Sequence, residues 1–145
     1  MPLADRNDPY LNYRFRVEIT GLIVAGFSEI SGLQAETQVE EYRAGGVNDH
    51  VYRLAKETRY PNLVLKRGIT DSDVLWQWHQ DVINGKISRL PVYIMLMDIS
   101  GQNVIWRRNF FQAYPVKWVG PDLKADGNLV AIETIELAHD GIKKG

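Results

Sequence analysis

Apolar and polar residues alternate with a period of two along most of this chain, which predicts a protein built mainly from β-strands. The first clean example ends at Ile19: Tyr13, Phe15, Val17 and Ile19 face one side, and charged residues face the other. Further strands are predicted over residues 23–33, 63–68, 91–99, 104–111, 114–119 and 129–139. Seven or eight strands of this kind predict a barrel or a sandwich.

One segment follows the helical period instead. Val74, Leu75, Trp78 and Val82 fall on a single stripe, which predicts an α-helix over about residues 72–84. Candidate N-caps are Thr70, Asp71 and Ser72, and the candidate C-cap is Asn84–Gly85. The predicted fold class is therefore mainly β, barrel-like or sandwich-like, with one helix.

The segment from Leu33 to Arg59 alternates like a pair of strands, but both of its faces carry polar groups. One face carries Thr37 and Val39, and the other carries Glu36, Gln38 and Glu40. The chain can reverse near residues 44–49, which predicts an extended hairpin loop. A strand that buries one face on its own core is apolar along that face. This segment is therefore expected to meet water, another copy of the chain or a cargo.

Composition limits the possible functions. The chain has 145 residues, which fits one domain over 1–145, and its net charge of −1 gives no global attraction for nucleic acid or an anionic membrane. It has no cysteine, which excludes disulfides and thiolate chemistry. Residues 1–12 are predicted to be an extended N-terminal arm. Neither a signal core nor a membrane span is present in the sequence, so assembly in the cytoplasm is expected.

Catalytic and metal-binding motifs are missing from the sequence. Its three histidines, His50, His79 and His139, lack metal-ligand spacing, and there is no nucleophile elbow, phosphate-binding loop or dinucleotide fingerprint. We therefore expect no cofactor, no metal and no enzymatic activity. Two other readings stay open at this point: a ligand-binding β-barrel that uses the polar residues in a private pocket, and a small barrel enzyme.

Four segments of the chain match a known pattern in order and spacing. They are DPYLNYRFRVEI, AGFSEISGLQAETQVEEYRAGG, YPNLVLKRGITDSDVLWQW and YPVKWVGPDLKADGNLVAIETIELAHDG, and the match covers about residues 8–141. This pattern resembles the tail tube protein family of contractile phage tails. The resemblance implies a β-barrel-like tail tube fold with one helix, and hexameric rings that stack into a hollow tube inside a contractile sheath. Members serve myophages, tailocins and extracellular contractile injection systems, and the type VI secretion tube is a distant relative.

The resemblance also suggests roles for the polar segment. Glu36, Gln38 and Glu40 are expected to face the lumen, while Thr37 and Val39 cover the core of the subunit. A protruding loop over residues 44–58 is expected to reach a neighbouring subunit or ring. Its expected contact residues, extended to the end of the strand, are Gly45, Gly46, Asn48, Asp49, Tyr52, Arg53, Lys56 and Arg59. Apolar residues around Tyr93, Met95 and Met97 are a further expected interface.

The expected partners follow from the same resemblance. They are other copies in a homo-hexamer, a sheath protein around the tube, baseplate and tail terminator proteins at its ends, and a cargo of DNA or protein in the bore. The expected location is the cytoplasm of a producing bacterium or archaeon, followed by a phage tail or an injection particle. The sequence leaves open which of these particles it is.

Overall fold

Nine strands and one helix are present in the computed structural model, which describes residues 14–19, 26–43, 51–127 and 130–145. The predicted arm over residues 1–12 lies outside this part of the chain. The strands are β1 (Phe15–Ile19), β2 (Phe27–Ser31), β3 (Glu36–Arg43), β4 (Val51–Arg59), β5 (Leu63–Gly68), β6 (Leu90–Met97), β7 (Val104–Val119), β8 (Ile132–Ala138) and β9 (Gly141–Lys144). The helix is α1 (Val74–Ile83). The prediction of a mainly β fold with one helix is confirmed.

Seven of these strands form one antiparallel sheet. Its order is β1-β6-β7-β8-β5-β2, and β9 pairs with β7. The 16-residue strand β7 joins two halves of this sheet, because its first part pairs with β6 and β9 and its last part pairs with β8. Strands β3 and β4 form a separate two-stranded sheet.

The prediction of two separate strands over 104–111 and 114–119 is wrong, because the ladder continues through a bulge. Between the pairs Leu90–Ala113 and Val92–Phe110 the register shifts by one residue. Gln112 lies in this bulge with a φ of 54°, in the left-handed region that residues other than glycine seldom adopt. A bulge bends its strand, so β7 can pass from one half of the sheet to the other.

A single apolar cluster fills the space between the halves and α1. The alternation predicted for β1 is confirmed, because Val17 and Ile19 are buried. The other buried members are Leu63, Leu65, Leu75, Trp78, Val92, Ile94, Phe110, Ala113, Ile135 and Leu137. Burying apolar surface contributes roughly 25 cal/mol per Å² to folding. This cluster is therefore the main source of stability in a chain without disulfides.

Helix α1 is shorter at its start than predicted. Its N-cap is Asp73, which makes no side-chain capping bond, so the assignment of Thr70, Asp71 or Ser72 to that role is wrong. A local turn uses these polar groups instead: Thr70 Oγ1 accepts a hydrogen bond from the Ser72 N–H at 3.2 Å. The C-cap prediction is confirmed, since Asn84 is the C-cap and Gly85 has a φ of 88°.

A buried ion pair links three strands to the start of the helix. The Arg67 Nε donates to Glu133 Oε1 at 2.6 Å, and the Arg67 Nη2 donates to the Ser72 carbonyl at 3.0 Å. The second carboxylate oxygen of Glu133 accepts a hydrogen bond from Trp118 Nε1 at 3.0 Å. The Trp118 ring packs edge-on against Trp76, with centroids 4.6 Å apart. This network fixes the helix and its preceding turn against the sheet.

Two other expectations need correction. Met95 and Met97 are only 4% and 7% exposed, so they are buried rather than part of an open apolar interface. No strand was predicted over residues 141–144, which form β9 by backbone pairing with β7.

Candidate assembly interface

The β3–β4 hairpin stands apart from the subunit core. Among the described residues its two strands pair only with each other, in a register that runs from Glu36 opposite Arg59 to Arg43 opposite Val51. A bulge interrupts this register between Thr37 and Val39. Isolated two-stranded hairpins are marginally stable in water at best. The geometry therefore indicates a segment that is completed by another surface.

Solvent reaches nearly every side chain of this hairpin. Gln38 is half-buried, and all other residues of β3 and β4 are exposed. Val39 and Leu54 are 54% and 51% exposed. The expectation that Thr37 and Val39 cover the core of their own subunit is therefore wrong. The physical reason is that no described part of the main sheet pairs with this hairpin to hold it against the core.

Both faces of the hairpin mix charge with apolar surface. Residues opposite each other in an antiparallel pair share a face. One face carries Val39, Glu41, Arg43, Val51, Arg53 and Ala55. The other face carries Glu36, Gln38, Glu40 and Tyr42, together with Tyr52 and Leu54. The second face is polar near the base of the hairpin and apolar toward its tip. Exposed apolar surface of this extent is typical of interaction sites.

Few hydrogen bonds or ion pairs join the side chains of the hairpin to one another. Thr37 and Thr58 share a hydroxyl hydrogen bond of 3.0 Å across the strands. Arg59 pairs with Glu57 on its own strand at 2.9 Å rather than with the facing Glu36. Within the described part of the chain, the other charged residues of β3 and β4 form no ion pair. They are Glu40, Glu41, Arg43, Arg53 and Lys56. Their charges are thus available to a partner.

The structure places the predicted site residues as follows. The expected lumen residues Glu36, Gln38 and Glu40 lie together on one face of β3. Of the expected contact residues, Tyr52, Arg53, Lys56 and Arg59 belong to β4, so the protruding loop predicted over 44–58 is a strand from residue 51 onward. Gly45, Gly46, Asn48 and Asp49 lie outside the described residues.

Sequence reasoning missed a second polar surface on the half-sheet of β2, β5, β8 and the end of β7. Its outer face carries two ion pairs, Lys66 with Glu29 at 3.3 Å and Lys117 with Glu136 at 3.5 Å. The alternation of β5 and β8 contained the signal, since Lys66 and Glu136 fall between buried positions. Which cation faces which carboxylate depends on a register that the sequence does not reveal.

Two groups outside the hairpin have shifted pKa values. Hydrogen bonds from Ser100 and Asn103 hold the pKa of the Asp98 carboxyl well below its usual range. Burial lowers the pKa of His139, whose Nε2 lies 3.2 Å from the Pro61 carbonyl. The contacts of both groups indicate structural roles. Asp98 closes the turn between β6 and β7, and the His139 ring packs edge-on against Phe110, with centroids 5.0 Å apart.

The described residues contain neither a metal-binding cluster nor a helix that could span a membrane. No group of three or more histidine or carboxylate residues is placed to hold a metal ion. Helix α1 is too short to cross a bilayer, and no other described segment forms a helix long and apolar enough to do so.

A family model and several solved structures match nearly the whole of this chain. The family model for the T4-like virus tail tube protein gp19 matches residues 11–143. A chain in the baseplate of the anti-feeding prophage is 27% identical, with a TM-score of 0.82, and the match covers 94% of this chain and 95% of that one. A chain in the extended sheath-tube complex of an extracellular contractile injection system, PVC, is 22% identical, with a TM-score of 0.86 and coverage of 97% and 95%.

More distant similarity extends the same fold. Hcp1 from Flavobacterium johnsoniae is 14% identical, with a TM-score of 0.56 and coverage of 92% of this chain and 95% of that one. A search of curated proteins found no significant match.

Proposed function

Because this chain belongs to the T4-like virus tail tube protein family and is a structural tube subunit of a phage tail or injection system, we propose that its copies join through the β3–β4 hairpin. They form hexameric rings, and the rings stack into a hollow tube. The observation that carries this proposal is the hairpin itself, a two-stranded sheet that leaves apolar side chains about half exposed on both faces. Pairing its edges with neighbouring copies removes exposed strand edges, which otherwise aggregate.

In this proposal, different parts of the hairpin have different roles. The face with Glu36, Gln38 and Glu40 lines the bore near the base of the hairpin, where a polar wall lets cargo pass without adhering. Closer to the tip on the same face, Tyr52 and Leu54 contact the next copy, and Leu54, opposite Glu40, lies where the polar part of the face ends. Arg53, Lys56 and Arg59 offer charges to other contacts between copies along β4, and the connection with Gly45, Gly46, Asn48 and Asp49 is proposed to reach a neighbouring subunit or ring.

The remaining partners are proposed from the relatives. Chains of similar fold come from a sheath-tube complex, a baseplate and a tube-terminating cap. We therefore assign this subunit a contractile sheath around the tube, baseplate and terminator proteins at its ends, and DNA or a protein effector in the bore. Residues 1–145 act as one tail tube domain with a mechanical, non-catalytic role. Assembly takes place in the cytoplasm of the producing cell.

The test is a charge placed in the apolar part of this hairpin face. Leu54→Asp puts a carboxylate where we expect an apolar contact between copies, so this variant should fold normally but form no tubes. Leu123→Asp is the matched control, because Leu123 is 84% exposed and lies outside the hairpin. Circular dichroism reports folding, and electron microscopy with sedimentation reports rings and tubes.

Two results would contradict different parts of the proposal. Tubes of normal length from Leu54→Asp would show that the apolar part of this hairpin face is not the contact between copies. An unmodified chain that stays monomeric at high concentration and is missing from sheathed particles would refute the tube assembly itself.

A further inference from the structure

A cleft of about 500 Å³ lies at the outer edge of β7, away from the hairpin. It is lined by Val104, Ile105, Trp106, Arg107, Arg108, Lys144 and Gly145, a set that contains three cationic side chains and no acidic side chain. Its apolar part is accessible, since Val104 and Ile105 are 47% and 36% exposed. The cleft therefore combines apolar surface with positive charge.

The backbone at this cleft is an open strand edge. The carbonyls of Arg107 and Phe111 accept hydrogen bonds from Gly145 at 3.3 Å and from Asp140 at 2.8 Å, on the side where β9 pairs. Ile105 is the extra residue of a bulge in the β6–β7 ladder, because Leu96 pairs with Trp106 and Met97 pairs with Val104. No described residue pairs with Ile105. An extended segment can add to this edge in line with β9.

Two of the three cations around this edge are held in place by an aromatic ring, and none pairs with an acidic side chain of the described residues. The Arg108 guanidinium lies 4.5 Å from the Trp106 ring centroid, and Arg107 lies 4.6 Å from that of Tyr93. Arg108 and Lys144 are opposite each other in the β7–β9 register, so they share a face. In the described part of the chain none of these three cations forms an ion pair. Pre-positioned cations lose little side-chain entropy when they bind a carboxylate.

We propose that this cleft binds an acidic, extended segment of another protein, which lies along the edge of β7 beyond β9 and whose carboxylates meet Arg108 and Lys144. The apolar surface of Val104 and Ile105 favours an amphipathic peptide over nucleic acid, which would leave that surface uncovered. The net charge of −1 also provides no general attraction for a polyanion. Because the cleft is distinct from the hairpin, this inference does not depend on the tube proposal.

The probe is a fluorescent ten-residue peptide of alternating Glu and Val, with alternating Lys and Val as its control, added to the full chain. Anisotropy gives the dissociation constant, and the NMR signal of the Trp106 indole reports the location. We expect the acidic peptide alone to bind, to shift the Trp106 signal and to weaken as salt shortens the screening length.

The contact is located by making the same substitutions at two lysines, one that lines the cleft and one that does not. Lys144→Gln should weaken binding about two- to fivefold, the range expected for one exposed ion pair, and Lys144→Glu should weaken it further. Lys124→Gln and Lys124→Glu are the controls, because Lys124 is exposed and does not line the cleft. Thermal unfolding of each variant separates lost binding from lost folding, and the Gln variants keep the test valid if a Glu variant does not fold.

Other outcomes would overturn the inference. Equal effects at positions 144 and 124, or no shift of the Trp106 signal, would show that the cleft is not the site. Tighter binding of duplex DNA than of the acidic peptide at matched salt would favour a polyanion site. Peptide binding that disappears in assembled tubes, with tubes that fail in Lys144→Glu, would identify a second copy as the occupant. Tube formation is scored by microscopy on the same samples, so a failure of the tube proposal is recognised separately.

Discussion

Replacing Arg67 with methionine should be among the most damaging single changes in the core. The Arg67 and Glu133 side chains are only 3% and 8% exposed. Removing the guanidinium leaves the Glu133 carboxylate buried with Trp118 Nε1 as its remaining donor, and it frees the Ser72 carbonyl. Breaking one partner of a buried pair costs about 3–5 kcal/mol. This is a large share of the roughly 5–15 kcal/mol that stabilises a typical domain.

Urea denaturation at pH 7 measures this loss, at a protein concentration where sedimentation shows every variant to be monomeric. With a slope of about 2 kcal/mol per M, the midpoint should fall by about 2 M. Lys66→Met is the matched control on the same strand. Lys66 pairs with Glu29 at 3.3 Å, but both side chains are largely exposed, so the expected loss is about 0.2–1 kcal/mol.

A double variant, Arg67→Met with Glu133→Leu, tests the cause. Removing both charges avoids the unpaired carboxylate, so it should recover stability relative to Arg67→Met. Recovery will be incomplete, because Trp118 Nε1 then loses its acceptor at a cost of about 1–3 kcal/mol. A single variant that loses less than about 1 kcal/mol, or a double variant less stable than the single one, would refute the reasoning.

Two further predictions concern pH and the bore. Burial lowers the folded-state pKa of His139, so the stability that this residue contributes should be complete above a pH of about 6.5 and should be lost as the pH falls toward the lowered pKa. The free energy of unfolding should then fall by at most about 1.4 kcal/mol per pH unit. Urea denaturation from pH 7.5 to 5.5 measures this dependence, and the same dependence of unfolding free energy on pH in His139→Gln would disprove it. The chain has no cysteine, so Glu40→Cys and Glu41→Cys can each carry one heavy-atom label; in maps of assembled tubes we expect only the label at position 40 to face the bore, and the opposite result would invert the face assignment.

Local signals in the sequence predicted much of this fold. The alternation of β1 and the stripe of Leu75 and Trp78 depend on neighbouring residues alone, and both elements have the predicted buried faces. Gly26 and Gly32 have φ values of 80° and 89°, a conformation that glycine adopts readily, so these bends also depend on the local residue.

Features that depend on distant partners were not predictable. Arg67 and Glu133 are 66 residues apart, and the sequence shows only a basic doublet and a lone acid. The continuity of β7 through Gln112 depends on where β6 and β8 pair with it. At the candidate interface, the polar pattern indicated an external partner, and the sequence predicted a hairpin. The exposure of Val39 was missed, because alternation places a side chain on a face but does not say what covers that face.

The distribution of charge explains why the hairpin sequence departs from the pattern of the other strands. In the core, Glu133 receives donors from both Arg67 and Trp118, and on the sheet surface Lys66 faces Glu29. Each of these charges has a partner within the folded subunit. The hairpin buries little apolar surface, since Leu54 is half exposed, and among the described residues its one ion pair joins Arg59 to Glu57 on the same strand, so Glu40 has none. A segment with so little hydrophobic burial and charge pairing contributes little to the stability of a lone subunit. This supports the proposal that the hairpin meets other copies, where the same residues can obtain both.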